Sequence, residues 1–239
     1  MEWFPESVGS LAGLLVVLPL IYLSILRNLP RDLSLTPVEE AEIPLDLFPQ
    51  MARYEDLGFE RLGAWRIHIA PAPTAVAYFR PDEGTYGMVF HTKRMPGKVF
   101  CDFTTPLLPA PCALTSGMHI GGGSLTMADP AFLQIFPGAP VEDLHALHRE
   151  GVAYLCGAGL TPTPPDPDGF EQHLRDAIRR QREAFGRAPV RNTLATLWRV
   201  VSQSSPYRGP IQRQRGTPAK LEAALGRRTR DDVFELHSV

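Results

Sequence analysis

Apolar residues recur along this chain at the short intervals of strands and helices, except near the N-terminus. There, Ser7 to Leu26 (SVGSLAGLLVVLPLIYLSIL) forms an unbroken run of 20 uncharged positions. A helix rises about 1.5 Å per residue, so the run reaches roughly 30 Å, the thickness of a bilayer's hydrocarbon core. The pattern predicts an N-terminal transmembrane anchor over residues 1–26, with Leu11, Leu14, Leu15, Val16, Val17, Leu18, Pro19, Leu20, Ile21 and Leu23 as its membrane-embedded side chains. Pro19 costs a backbone hydrogen bond and kinks such a helix, which membrane helices tolerate. A cleaved signal peptide would need a basic start and small residues near the cut, and Glu2, Glu6, Ile25, Leu26 and Asn28 supply neither.

Beyond the run the periodicity changes. Residues 27–49 hold Pro30, Pro37, Pro44 and Pro49 without a sustained helical period, which reads as an extended spacer. Residues 50–159 read as an α+β domain. Met51 to Leu57 is a short helix, and the strands are Trp65 to Ile69, Ala75 to Phe79, Tyr86 to Phe90 and Val99 to Phe103, with Ala113 to Ser116 and Phe132 to Phe136 as two more. The connections between the first of these are too short for parallel crossovers, so an antiparallel sheet of four to six strands is expected. Pro140 to Leu155 is a flanking helix with a three-to-four spacing of Val141, Leu144, Leu147, Val152 and Leu155. The fold class expected is therefore α+β, with one sheet face covered.

Residues 160–168 (LTPTPPDPD) read as a stiff linker, and 169–239 as a basic helical segment with a tail. Asp168 and Glu171 have capping-box spacing before a helix whose apolar stripe is Phe170, Leu174, Ala177, Ile178 and Phe185. Pro189 opens a second helix with the stripe Val190, Leu194, Leu197, Trp198 and Val201, giving a C-terminal helical hairpin.

Charge adds an orientation and a partner class. Basic residues are absent before the run and follow it directly at Arg27 and Arg31, which predicts an N-terminus outside and a C-terminal domain in the cytoplasm. Cys101, Cys112 and Cys156 are odd in number and lack CxxC spacing, in keeping with a reducing compartment. The net charge of −2 conceals an asymmetry, with 10 basic against 19 acidic residues over positions 1–170 and 14 against 4 over 171–230. Arg175, Arg179 and Arg182 lie opposite the apolar stripe of their helix and form a basic face suited to anionic lipid headgroups or an acidic partner. Nucleic acid fits less well, because aromatics that would stack bases are few, only Phe185, Trp198 and Tyr207.

Candidate chemistry is sparse. His145 and His148, spaced i, i+3 on a helix, could share a metal, but a third ligand is needed and only His119, His173 or Cys156 is available. Cys101 alternates with Val99 and Phe103 as a core residue would. His68, His91 and Asp102 could converge on the sheet as an acid/base cluster, or could simply be its polar outer face. The glycine-rich loop Thr115 to Ser124 lacks the spacing of a phosphate-binding loop. No catalytic residue, metal or cofactor is therefore assigned. The function expected is that of a non-catalytic, membrane-anchored, cytoplasm-facing accessory or assembly subunit, with the bilayer and an integral membrane protein complex as partners. The alternative is a small membrane-associated hydrolase or metal-dependent enzyme using the histidine, aspartate and cysteine side chains of the α+β domain.

Overall fold

The computed structural model describes residues 19–194, except 21, 24–30, 69–72, 92–97, 110–111, 119–130, 137, 165 and 192. Most of the apolar run, with Arg27, the loop 119–124 and the stripe residues Leu197, Trp198 and Val201, thus lies outside the described residues. Residues 19–20 and 22–23 are helical. Among the described residues no helix is long and apolar enough to cross a membrane.

The chain forms one mixed eight-stranded sheet with helices on both faces, an α+β fold. Seven strands follow one another across the sheet in sequence order: β1 (Leu35–Pro37), β2 (Glu60–Ile67), β3 (Thr74–Arg80), β4 (Thr85–His91), β5 (Val99–Leu108), β6 (Cys112–Gly117) and β7 (Ala131–Ile135). The eighth, β8 (Thr161–Pro162), pairs with Leu107 and Leu108 at the end of β5. Neighbouring strands are antiparallel except β6 and β7, which run parallel. The expectation of a purely antiparallel sheet of four to six strands is corrected on both points. Residues 118–130 are long enough to return the chain to the same end of the sheet, which short hairpins are not. β5 is also long enough to outrun β4, which pairs only with Val99 to Thr104, and β8 takes the remaining stretch.

β3 shows why both faces are covered. Its residues Ala75 to Phe79 are all buried, a continuous apolar run of the kind found in strands packed on two sides. Val76 and Tyr78 face α1 (Phe48–Asp56) and α2 (Val141–Gly157), joining Met51, Tyr54, Val89, Phe103, Leu144 and Leu147 in the largest core. Tyr54 stacks on Phe103 at 4.8 Å and donates from its hydroxyl to the Asp102 carbonyl at 2.9 Å. Gly87 is what admits that ring, since a Cβ there would stand 2.3 Å from it.

Ala75, Ala77 and Phe79 face the other way, toward α3 (Phe170–Arg187). Phe170, Leu174, Ile178 and Phe185, the stripe expected from sequence, pack there against Ile67, Tyr86, Met88 and Phe90. The expected capping box does not form. Gly169 is the N-cap of α3, Asp166 accepts from its amide at 3.0 Å, and Glu171 instead accepts from Trp65 Nε1 at 3.1 Å. The Pro-rich stretch before α3 is packed as well, with Leu160 buried and Tyr86 donating to the Asp166 carbonyl at 2.5 Å. Residues 31–47 are similarly engaged: Leu33, Ile43 and Leu47 are buried, β1 extends the sheet, and two 3-10 turns lead into α1.

Candidate functional site

The chemistry-bearing side chains gather between α2 and the sheet. α2 buries Leu144, His145, Leu147, His148, Gly151 and Leu155, a spacing that places one stripe on β5, β6 and the β3–β4 turn. The two histidines therefore do share a face, as the i, i+3 spacing predicts, but they turn inward to separate partners.

His145 Nε2 lies 2.8 Å from Glu83 Oε2, so Nε2 carries the proton that the carboxylate accepts. The ring packs edge-on against Phe59 at 5.3 Å and tilted against Phe103 at 5.1 Å. The other Glu83 oxygen is 3.4 Å from Arg80 Nη1 and 3.3 Å from Arg149 Nε. The carboxylate is thus shared by two guanidinium groups and an imidazole.

His148 is fully buried and bonds at both nitrogens, Nε2 with Thr105 Oγ1 at 2.8 Å and Nδ1 with Ser116 Oγ at 2.9 Å. The chain continues from Thr105 to Thr85 at 2.7 Å and from Ser116 to Gln134 Oε1 at 2.7 Å. With Ser116 donating to Gln134, Nδ1 must donate to Ser116 and Nε2 must accept from Thr105. Gln134 Nε2 is then left without a partner. Flipping the amide reverses every bond in the chain and pairs that N–H with Ser116, leaving a carbonyl unpaired, which is the less costly of the two orphans. Gly151 makes room for the amide, since a Cβ there would stand 2.8 Å from Gln134 Oε1 and 2.7 Å from Leu114. Burial, with His145 beside it, pushes His148 down to about 3, so the ring is neutral near pH 7.

A serine hydroxyl on an imidazole suggests nucleophilic catalysis, but two features oppose it here. Ser116, Thr105 and His148 are all fully buried, so no substrate reaches Oγ. The far nitrogen of His148 meets a threonine rather than a carboxylate that would stabilise an imidazolium. What the arrangement does is fix register: five side chains from β4, β5, β6, β7 and α2 satisfy one another only when those elements sit in this alignment.

The remaining candidates do not come together. His173 lies on the opposite face of the sheet, stacked on Tyr86 at 5.5 Å, where burial pushes it down to about 4. Cys156 sits at the end of α2, half-buried, and His119 is outside the described residues. Among the described residues no three His, Cys, Asp or Glu side chains are placed to hold a metal. Cys101 and Cys112 are buried, and desolvation pushes the Cys101 thiol up, away from the reactive thiolate. His68 bonds Thr36 Oγ1 at 2.8 Å at the sheet edge. His91 and Asp102 lie on opposite faces, because Asp102 pairs across to Met88 on the α3 side, and burial pushes the Asp102 carboxyl up to about 7.

Of the basic face, Arg175 donates to the Leu33 carbonyl and to Glu171 Oε2 at 3.2 Å, and Arg179 pairs with Asp176 at 2.6 Å. Arg182 also has an interaction partner. The side chains that sequence reasoning missed are Glu83, Thr85, Thr105, Ser116 and Gln134. Their only signal is a polar residue on an otherwise apolar alternation, as at Thr105 between Phe103 and Leu107. Compared with family models, with curated proteins and with solved structures, the chain matches none of them.

Proposed function

We propose that the protein is a membrane-anchored, non-catalytic accessory or assembly subunit that holds its α+β domain against the cytoplasmic side of a bilayer, beside an integral membrane partner. The observation that carries the reading is the uncharged run Ser7 to Leu26 followed by Arg27 and Arg31. One feature of the fold supports it. Both nitrogens of His148, and Nε2 of His145, are taken up by hydrogen bonds within the fold.

Alkaline carbonate extraction of native membranes, followed by protease treatment of intact spheroplasts, tests both parts. The full chain should stay in the membrane pellet and its domain should survive until lysis. Release by carbonate would remove the anchor, and digestion before lysis would reverse the orientation. A mild-detergent pull-down then identifies the partner complex.

A further inference from the structure

Three separate segments reach the same core cluster on the α3 side of the sheet. Tyr22 packs onto it from the N-terminal run, Leu33 is buried in it, and Phe185 enters it from the last turns of α3. The Arg175 guanidinium ties two of these segments together through the Leu33 carbonyl. Each segment carries exposed residues next to its buried one. Leu20 and Leu23 flank Tyr22 at 60% and 58% exposure, and Arg31 precedes Leu33. Beyond Phe185 come exposed Arg187 and Arg191, with Val190 at 61% and Leu194 at 46%.

Val190 and Leu194 are the described part of the second expected stripe, and they do not pack inward as that stripe predicts. Thr193 is buried instead, its hydroxyl donating to the Pro189 carbonyl at 2.7 Å, which turns Val190 and Leu194 outward on one side of the helical turn. Exposed Val190 and Leu194, four residues apart and interleaved with exposed Arg187 and Arg191, match a bilayer interface, where the apolar groups enter the headgroup boundary and the cations meet anionic lipid. The residues that follow are strongly basic, with 8 Lys and Arg against 1 acidic residue over 195–230.

We infer that the exposed residues of this region, Leu20, Leu23, Arg31, Arg187, Val190, Arg191 and Leu194, dock on an anionic leaflet and lay the end of α3 along it. The inference rests on the membrane-anchored reading for its geometry, and it differs from the face expected at Arg175 and Arg179, whose guanidinium groups already have partners within the fold. Each exposed arginine near the surface adds attraction that salt screens, and the apolar pair adds insertion that salt does not.

The test uses the full chain reconstituted in vesicles, with Cys156→Ser to remove the half-buried thiol and an environment-sensitive fluorophore on Val190→Cys, Leu194→Cys, Leu11→Cys or Leu45→Cys. Leu45, 85% exposed and on a 3-10 turn before α1, is the control. Quenching by brominated lipid is compared in phosphatidylcholine vesicles with and without one third phosphatidylserine. The expected result is quenching at 190 and 194 several-fold above that at 45 in the anionic vesicles. It should fall by half or more in phosphatidylcholine, in high salt, or with Arg187→Gln and Arg191→Gln together. Quenching at 11 with none at 190 and 194 would overturn the docking surface, leave the anchor standing, and assign this face to a protein partner. Quenching at 190 and 194 with none at 11 would uphold the surface and overturn the anchor. Equal quenching with and without phosphatidylserine would overturn the anionic specificity.

Discussion

The two faces of the sheet are held by different physics. On the α2 face the core is crossed by a chain of hydrogen bonds through His148, Thr105, Ser116 and Gln134, each of which needs its neighbour within about 3 Å. On the α3 face the core is aromatic and aliphatic apart from the Asp102 carboxyl, with Phe79, Tyr86, Phe170 and Phe185 buried, and its polar links, Trp65 to Glu171 and Tyr86 to Asp166, lie beside these rings. Apolar contact is non-directional and tolerates small shifts, whereas a buried polar chain tolerates none. The difference assigns register to the α2 side and leaves the α3 side free to adjust to whatever the end of α3 meets.

Breaking the polar chain should therefore destabilise the fold. His148→Leu keeps roughly the same volume but removes one partner each from Thr105 and Ser116, which keep Thr85 and Gln134, and a buried hydrogen bond contributes about 1 kcal/mol. A loss of about 2 kcal/mol is expected in denaturant unfolding of the full chain in mild detergent. His148→Gln, with a donor and an acceptor, should recover part of it. An unchanged midpoint for His148→Leu would mean that the chain of bonds contributes nothing to the fold.

Acid separates the faces by sign. His148 is pushed down to about 3 from an ordinary 6.5, so the fold favours its neutral form. That stability is present above pH 6.5 and is lost as pH falls toward 3, about 3 kcal/mol by pH 4. Asp102, on the α3 side, is pushed up to about 7, so its contribution is present below an ordinary 3.8 and is lost as pH rises toward 7. Between pH 4 and 7 the two oppose each other. Stability of His148→Leu should fall as pH rises through that window, and stability of Asp102→Asn should rise. The same slope in both variants would show that these two groups do not set the profile.

How much of this could be read from the chain follows the same division. The α3 stripe of Phe170, Leu174, Ile178 and Phe185 is legible because apolar packing leaves a period in the sequence. The inner strands and α2 are legible for the same reason. The polar chain is not, because Thr85, Thr105, Ser116 and Gln134 meet only through strand register, which no local pattern encodes. Residues 31–47 read as a spacer because prolines interrupt the period, yet Leu33, Ile43 and Leu47 are buried one at a time, at spacings no window detects. The parallel pairing of β7 depends on the long connection before it, and nothing in the AFLQI strand itself marks its direction.

The apolar face can be weakened directly. Phe185→Ala removes a fully buried ring near the end of α3, and such truncations cost about 3 kcal/mol when the cavity stays open. Because the contacts are non-directional, part of the cavity should close by a shift of the last turn of α3, giving roughly 2 kcal/mol. Amide exchange should rise at 180–187 and stay unchanged in α2. Faster exchange in both helices would show that the two faces unfold as one unit and would remove the distinction between them.

The smallest effect concerns the strap that joins the faces. Arg175 bonds a backbone carbonyl of another segment, that of Leu33, while Arg179 pairs with Asp176 on its own helix. Both side chains are well exposed to solvent, so screening limits each to under about 1 kcal/mol. Arg175→Gln should nonetheless exceed Arg179→Gln, because it leaves a carbonyl beside a buried leucine without its donor, and protease cleavage near 31–35 should quicken in the first variant alone. Equal cleavage in both would mean that Leu33 is held by its own burial in the cluster, and that the guanidinium merely rests on a strap that apolar packing already fixes.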